Sequence, residues 1–320
     1  MKLAIIGAGF CGVYAAFLAS KESNFEITLF DAKGIAAGAS GVAAGLIHPF
    51  AGKRANKSKE ADQAFPLVKE LIQEIAPNSI LHNGIVRPCI DQQQRKDFFR
   101  CAEAHPCVEW WEQDKVLDHF PFLQPIPGIF IKDGLAIDSQ IYLKALIRSS
   151  RFHFVRQAIQ NLDELHAFDY VLLCIGPGHP LLKELMPFPH SRVKGQCLRF
   201  HYPKSLPALP YALSAKAYFV HQKEQEICTV GATFEHQYED EEPSVEIAKQ
   251  YLKQRIEEVM PYLLSQPLLS TEAAVRCTLP HRHPELRAIN AQTHLLWGFG
   301  SKGLLYHVKF VQDWWRLIQN

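Results

Sequence analysis

The chain has 320 residues, 48% of them hydrophobic, which is enough for one large domain or two interleaved ones, so disorder is not the default reading. Lys plus Arg number 34 against 33 Asp plus Glu, a formal net charge of +1, so the whole-molecule field gives no reason to expect a polyanion partner. Past the first twenty residues no apolar run approaches the roughly 18 positions that a membrane span requires.

The opening, MKLAIIGAGFCGVYAAFLAS, has two readings. As a secretory signal it would have Lys2 as its basic end, an apolar centre and Ala-Ser at the cleavage edge, but three glycines suit that poorly. As a nucleotide site, residues 3–6 form a buried parallel strand, GAGFCG is a GxGxxG turn and residues 13–19 continue as a helix. Gly7 then makes the tight turn, Gly9 admits a diphosphate close to the backbone, and Gly12 lets helix pack on strand, with the diphosphate at the positive helix end. The second apolar run, EITLFD, ends in Asp31 about 20 residues beyond the turn, where a carboxylate can hold both ribose hydroxyls of an adenosine. The nucleotide reading accounts for this context and the signal reading does not.

After Asp31 a glycine- and alanine-rich stretch, AKGIAAGASGVAAGLIHPF, offers backbone that can approach a flat ligand closely. The basic run KRANKSK at 53–59 is either solvated surface or a phosphate contact, and it leads into an amphipathic helix with Phe65, Val68, Leu71, Ile72 and Ile75 on one face. Aromatics and prolines gather in 80–133, where a second domain is expected to start. Residues from 139 return to helix, with Asp138 as the N-cap. The apolar run at 170–175 reads as a buried parallel strand leaving through Gly176-Pro177-Gly178. GQCLRFH, AYFVH and EICTVGATFEH read as half-exposed antiparallel strands, followed by a long amphipathic helix over 245–264. The C-terminal region reads as a strand, a glycine-rich turn and a closing helix. The eight cysteines lack a CxxC pair or zinc-type spacing, and several (Cys89, Cys174, Cys197, Cys228) sit in apolar runs, which predicts reduced thiols and a cytoplasmic protein.

Together the motifs resemble the flavoprotein family of D-amino-acid oxidase, glycine oxidase and sarcosine oxidase. The resemblance spans nearly the whole chain in order: GAGFCG, GASGVAAGLIHP, DYVLLCIGPG, RVKGQ, VGATFEHQYEDEEP, VRCT and GFGSKGL. Within that family the sequence is similar to glycine oxidase and to the oxidase domain of the bifunctional enzyme that trims carboxymethylaminomethyluridine in tRNA, without that enzyme's methyltransferase half.

The resemblance implies an α/β (α+β overall) architecture, a Rossmann-like FAD-binding domain interleaved with an antiparallel-sheet substrate domain. The first would take 1–79, 134–193 and 273–320, and the second 80–133 and 194–272. One dinucleotide fingerprint that follows an opening strand, with further glycine-rich approaches of which GFGSKG at 298–303 is one, suits a single enclosed FAD. Cofactor contacts are expected at Gly7, Gly9, Phe10, Cys11, Gly12, Asp31, Ala32, Ala39, Ser40, Gly45, Leu46, Ala158, Gly176, Gly300, Ser301, Lys302, Gly303 and Leu304. Ser301 and Lys302 would open the last helix, whose N–H groups can stabilise negative charge on the flavin pyrimidine.

For catalysis the resemblance places at Arg276 an arginine that clamps the substrate carboxylate, a task suited to a bidentate, permanently charged group. His48 is expected to face the isoalloxazine or the substrate, or to be a hydrogen-bonded structural histidine. Tyr218 would close the pocket or donate to a carboxylate, with plain packing as the alternative. Sarcosine oxidase tethers its flavin through a cysteine, but here Arg276 rather than Cys277 aligns with that position, so FAD is expected to be non-covalent. His281 and His283 lack a third ligand, and no metal is expected. The expected substrate is a small amino acid or N-substituted glycine with oxygen as acceptor, without a membrane partner; oligomeric state is not legible. The alternatives are trimming of a tRNA wobble uridine, for which the 53–59 run is the candidate electropositive approach, and a flavin-binding protein that turns nothing over.

Overall fold

A computed structural model of the chain describes every residue except 43, 178, 182–184, 186–189 and 320. Gly178, the last glycine of the Gly176-Pro177-Gly178 exit, therefore lies outside the described residues. The other residues form two sheets with helices packed on them.

The chain opens with β1 (Lys2–Ile6), helix α1 (Phe10–Ala19) and β2 (Glu26–Phe30). A short helix α2 (Ala39–Val42) and strand β3 (Leu46–Ile47) come next, then α3 (Ala61–Ile75) and β4 (Ile80–Pro88). The segment that follows holds α4 (Gln92–Ala104), β5 (Val108–Trp111), α5 (Gln113–His119) and β6 (Gly128–Ile137). Helix α6 (Ser139–Arg148), β7 (His153–Val155) and β8 (Tyr170–Leu173) return to the first sheet. The second half supplies β9 (Ser191–His201), β10 (Ala212–Ser214), β11 (Tyr218–Gln222), β12 (Ile227–Gly231) and α7 (Val245–Val259). It closes with β13 (Leu268–Thr278), β14 (Glu285–Ala288), β15 (Thr293–Trp297) and α8 (Gly303–Gln319).

The smaller sheet has the order β14-β15-β8-β1-β2-β7. It is parallel except for the β14–β15 edge, and β1 lies between β2 and β8. Such a sheet needs cover on its faces, which is why KLAII and YVLL read as unbroken apolar runs. Helix α1 is buried nearly all round, packed against α6 and α8, and residues of all three belong to one core with β1. At the first turn Gly7 has φ +104°, and a Cβ on Gly12 would stand 1.8 Å from the Gly7 carbonyl oxygen. Strand and helix can approach this closely only through those glycines.

The larger sheet has the order β13-β9-β12-β11-β10-β4-β6-β3, with β5 added to β6. It is antiparallel apart from the β10–β4 pair. Two expectations need correction here. Strands β9, β11 and β12 are not half-exposed: most of their residues are buried, and only Ser191 and Arg192 at the start of β9 are exposed. Leu198 and Phe200 share a core with Ala248, Leu252 and Ile256 of α7, while Cys197 and Tyr218 line a cavity. The expected helix over 245–264 also ends earlier, at Val259. Met260 is its C-cap, and Pro261, which cannot donate an N–H and disfavours α geometry in the residue before it, starts a separate 3₁₀ turn.

Strand β13 links the two sheets. It pairs along its length with β9, and its last residue, Thr278, bridges to Phe299 in the turn before α8. Among the described residues no helix is long and apolar enough to cross a membrane. All eight cysteines are free.

Candidate active site

A cavity of about 480 Å³ lies between the sheets, within the range typical of ligand sites. Its wall brings together sixteen of the residues expected from sequence: Gly9, Phe10, Cys11, Ala39, Ser40, Gly45, Leu46, His48, Gly176, Tyr218, Arg276, Gly300, Ser301, Lys302, Gly303 and Leu304. Gly7 and Gly12 stand behind this wall as packing positions. Asp31, Ala32 and Ala158 are outside it, beyond the ends of the adjacent strands β2 and β7.

Asp31 is held by the main chain. One oxygen accepts from the Ala8 N–H (2.8 Å), and the other from those of Lys33 and Gly34 (both 2.9 Å). A carboxylate has about four acceptor positions, so limited capacity is left for a ribose. At the start of α1 the Phe10 N–H donates to Ser40 Oγ (3.0 Å), which satisfies one of the helix's orphan donors. A Cβ on Gly9 would come within 2.8 Å of that hydroxyl.

Arg276, on β13, reaches back across β9. A Cβ built on Gly195 would stand 2.4 Å from its Nη2, so the bare backbone of RVKGQ makes room for the guanidinium. Nη2 donates to the Thr233 carbonyl (3.1 Å), Nε is buried without a hydrogen-bond partner, and the Phe234 ring lies over the group at 5.1 Å. Burial lowers its pKa from the usual arginine value. Arg276 has no ion-pair partner among the described residues, and no Asp or Glu side chain stands in the cavity wall.

Tyr218 and Cys197 share a hydrogen bond between Oη and Sγ at 2.7 Å, with Gly231 leaving space for the phenol. Burial, then the neighbouring thiol, holds the tyrosine pKa well above its usual value. His48 has a buried Nδ1 with no partner, and burial, reinforced by the Arg87 charge, pushes its pKa down to about 3. The ring is therefore neutral at ordinary pH and a weak base.

Sequence reasoning missed Arg87, which is buried in the same wall. Its Nη1 donates to the Phe50 carbonyl (2.6 Å) and its Nη2 to that of Gly52 (2.7 Å), tying down the loop after His48, while Nε lacks a partner. It also missed the Tyr142–His307 pair behind Phe10. The Tyr142 hydroxyl donates to His307 Nε2 (2.7 Å), and Nδ1–H donates to the Leu304 carbonyl (2.9 Å). Burial holds His307 neutral, with a pKa of about 4. Isolated residues within apolar segments gave no spacing signal for either.

Other expectations fall outside the cavity. His281 pairs with Glu285 and His283 with Glu60, and no group of three or more potential metal ligands occurs among the described residues. The basic run is largely neutralised: Lys53 pairs with Asp91 (3.4 Å), Arg54 with Asp97 (4.0 Å) and Lys57 with Asp62 (2.9 Å).

The cavity suits FAD on its own features. Gly9, Gly45, Gly176, Gly298, Gly300 and Gly303 line it, cations stand in its wall without carboxylates, and Trp297 Nε1 beside it is an unpartnered buried donor. A parallel dinucleotide-type sheet, a GxGxxG turn against a helix N-terminus and a cationic cavity under an antiparallel sheet define a flavin-dependent oxidoreductase. Residues 2–308 match the FAD dependent oxidoreductase (DAO) family, and the chain belongs to it.

A curated relative is the tRNA 5-methylaminomethyl-2-thiouridine biosynthesis bifunctional protein of Idiomarina loihiensis, 23% identical over 320 aligned positions. The match covers 93% of this chain and 52% of that protein, so the chain spans about half the relative's length. In fold the chain is similar to glycine oxidase from Geobacillus kaustophilus (TM-score 0.86, 16% identity, 99% and 94% of the two chains). It is also similar to iminodiacetate oxidase from Chelativorans sp. BNC1 (TM-score 0.82, 17% identity, 99% and 95%).

Proposed function

We propose that the chain oxidises the C–N bond of a small amino acid or N-substituted glycine. The observation that carries this reading is Arg276, a cation in the cavity wall with an unpartnered Nε and no ion pair among the described residues. A substrate carboxylate would supply the missing charge through paired hydrogen bonds.

When bound, FAD supplies a two-electron acceptor for hydride from the carbon beside the nitrogen. The chain's own part is orientation and exclusion. Arg276 fixes the carboxylate, Tyr218 closes the pocket beside it, and the larger sheet keeps bulk water away. No carboxylate stands among the described residues of the wall to act as a general base, and His48 is a weak one, so in this reading the amine binds neutral. The resulting imine hydrolyses after release, and oxygen is the acceptor that completes the cycle.

We assign the diphosphate to GAGFCG and the α1 N-terminus, the adenosine end to Asp31, Ala32 and Ala158, and the flavin pyrimidine to residues 300–304 at the start of α8. FAD binds non-covalently in this reading, because burial raises the pKa of the Cys277 thiol to about 12 and leaves it a poor nucleophile. The chain divides into a cofactor part (1–79, 134–193, 273–320) and a substrate part (80–133, 194–272), with β6, β9 and β13 running across three of the joins.

Anaerobic addition of glycine, sarcosine, proline and D-alanine to the yellow protein tests the reading: at least one should bleach the flavin. If none does, the small-amine assignment fails. Trimming of a carboxymethylaminomethyl group on tRNA is the second reading, favoured by the curated relative's name. The chemistry is the same: the carboxymethylaminomethyl group is itself an N-substituted glycine, and oxidation of its carboxymethyl carbon followed by hydrolysis releases that two-carbon unit and leaves an aminomethyl group on the base.

A further inference from the structure

Among the described residues, Phe234 is the only large, exposed apolar side chain in the cavity wall; half of its surface is open. It is held there on both sides. The Thr233 N–H donates to the Gln196 carbonyl (3.0 Å), and Gln196 N–H donates to Thr233 Oγ1 (2.8 Å). Glu235 and Lys194 exchange both main-chain hydrogen bonds (2.9 and 3.0 Å). These ties to β9 fix the backbone around Phe234, and its ring projects over Arg276 with His236 edge-on to it at 5.3 Å. A ring needed only to orient the guanidinium would gain more by being buried, since exposed aromatic surface forfeits its transfer free energy.

We propose that Phe234 selects the substrate: its open face stacks on a flat ring borne by the substituent on the substrate nitrogen, while the substrate carboxylate sits on Arg276. This rests on the carboxylate role given to Arg276 above. The preferred class is then an N-substituted glycine whose substituent carries an aromatic ring, and glycine and N-methylglycine are poor substrates. Such a ring can come from a benzyl group or from a pyrimidine base, both of which offer a face for stacking.

The test is anaerobic titration of the FAD-loaded protein with N-methylglycine, N-benzylglycine and 5-carboxymethylaminomethyluridine, reading half-saturation from any change in flavin absorbance. The expected result is half-saturation by at least one ring compound at a concentration about tenfold or more below that for N-methylglycine. F234A should bring that ratio close to one, and F234Y, which keeps a ring, should preserve it. The ring compound with the larger advantage identifies the source. A ratio near one in the unaltered protein overturns the proposal. So does a ratio that survives F234A because all compounds weaken together, since Phe234 would then act only through Arg276. A shift in absorbance without bleaching sinks the oxidation reading while leaving the selection by Phe234 standing; no response to any compound overturns both.

Discussion

Arg276 and Arg87 show how one residue type takes two roles within a single cavity. Both have an unpartnered buried Nε, but Arg87 spends both terminal nitrogens on carbonyls of its own chain, whereas Arg276 has one such bond and lies over a glycine. Replacing Arg276 by Met should weaken apparent substrate affinity by about 10- to 100-fold, as expected for loss of a charge-assisted pair. Because no ion pair is lost and a poorly compensated cation is removed, the melting temperature of the cofactor-free protein should not fall. Substrate titration and a thermal melt on the same preparation measure both. Arg276 was legible because VRCT sits in a recurring order of motifs. Arg87 was not, because its partners at 50 and 52 become neighbours only once β4 is placed.

Among elements, a buried polar pair, Tyr142 on α6 and His307 on α8, ties the two helices together. His307 titrates at about 4 in the folded chain and at about 6.5 when unfolded. Between those values the unfolded chain binds more protons, so stability falls on acidification. The contribution is fully present above about pH 6.5 and is lost as pH falls through about 4, with an upper size of about 3 kcal/mol. His48 and His221, lowered to about 3 and about 4, act in the same direction. His307→Leu should therefore cost about 1–3 kcal/mol near pH 7, where it orphans the Tyr142 hydroxyl, and flatten the decline between pH 6.5 and 4. Melting temperatures of the two proteins across that range check it. The elements of the smaller sheet were the most legible, since apolar runs beside glycines define short buried strands. The larger sheet misled because its alternation suggested a wet face, whereas α7 covers one side and the cavity occupies the other.

For the whole molecule, the electrostatics separate the two substrate readings. Three charges of the 53–59 run are tied to carboxylates, and the segment after Phe234 adds Glu239, Asp240, Glu241 and Glu242, of which Glu241 pairs with Arg192 and Asp240 with Lys194. Action on a small amine should keep kcat/KM nearly constant between 50 and 200 mM salt, because few charges meet on binding. Action on tRNA through several phosphate contacts would lose on the order of a thousandfold over the same range. Steady-state rates at the two salt concentrations decide between them, and a steep loss would favour the tRNA reading.

The bridge from Thr278 to Phe299 ties the strand that carries Arg276 to the doorway of the final helix, two residues downstream of that arginine. Under the role proposed for Arg276, displacing it would drag the turn that faces the cavity, so neither could be retuned in isolation. Divergence toward new substrates would then proceed through side chains that project into the chamber, such as Phe234, while the strand beneath them stays as it is.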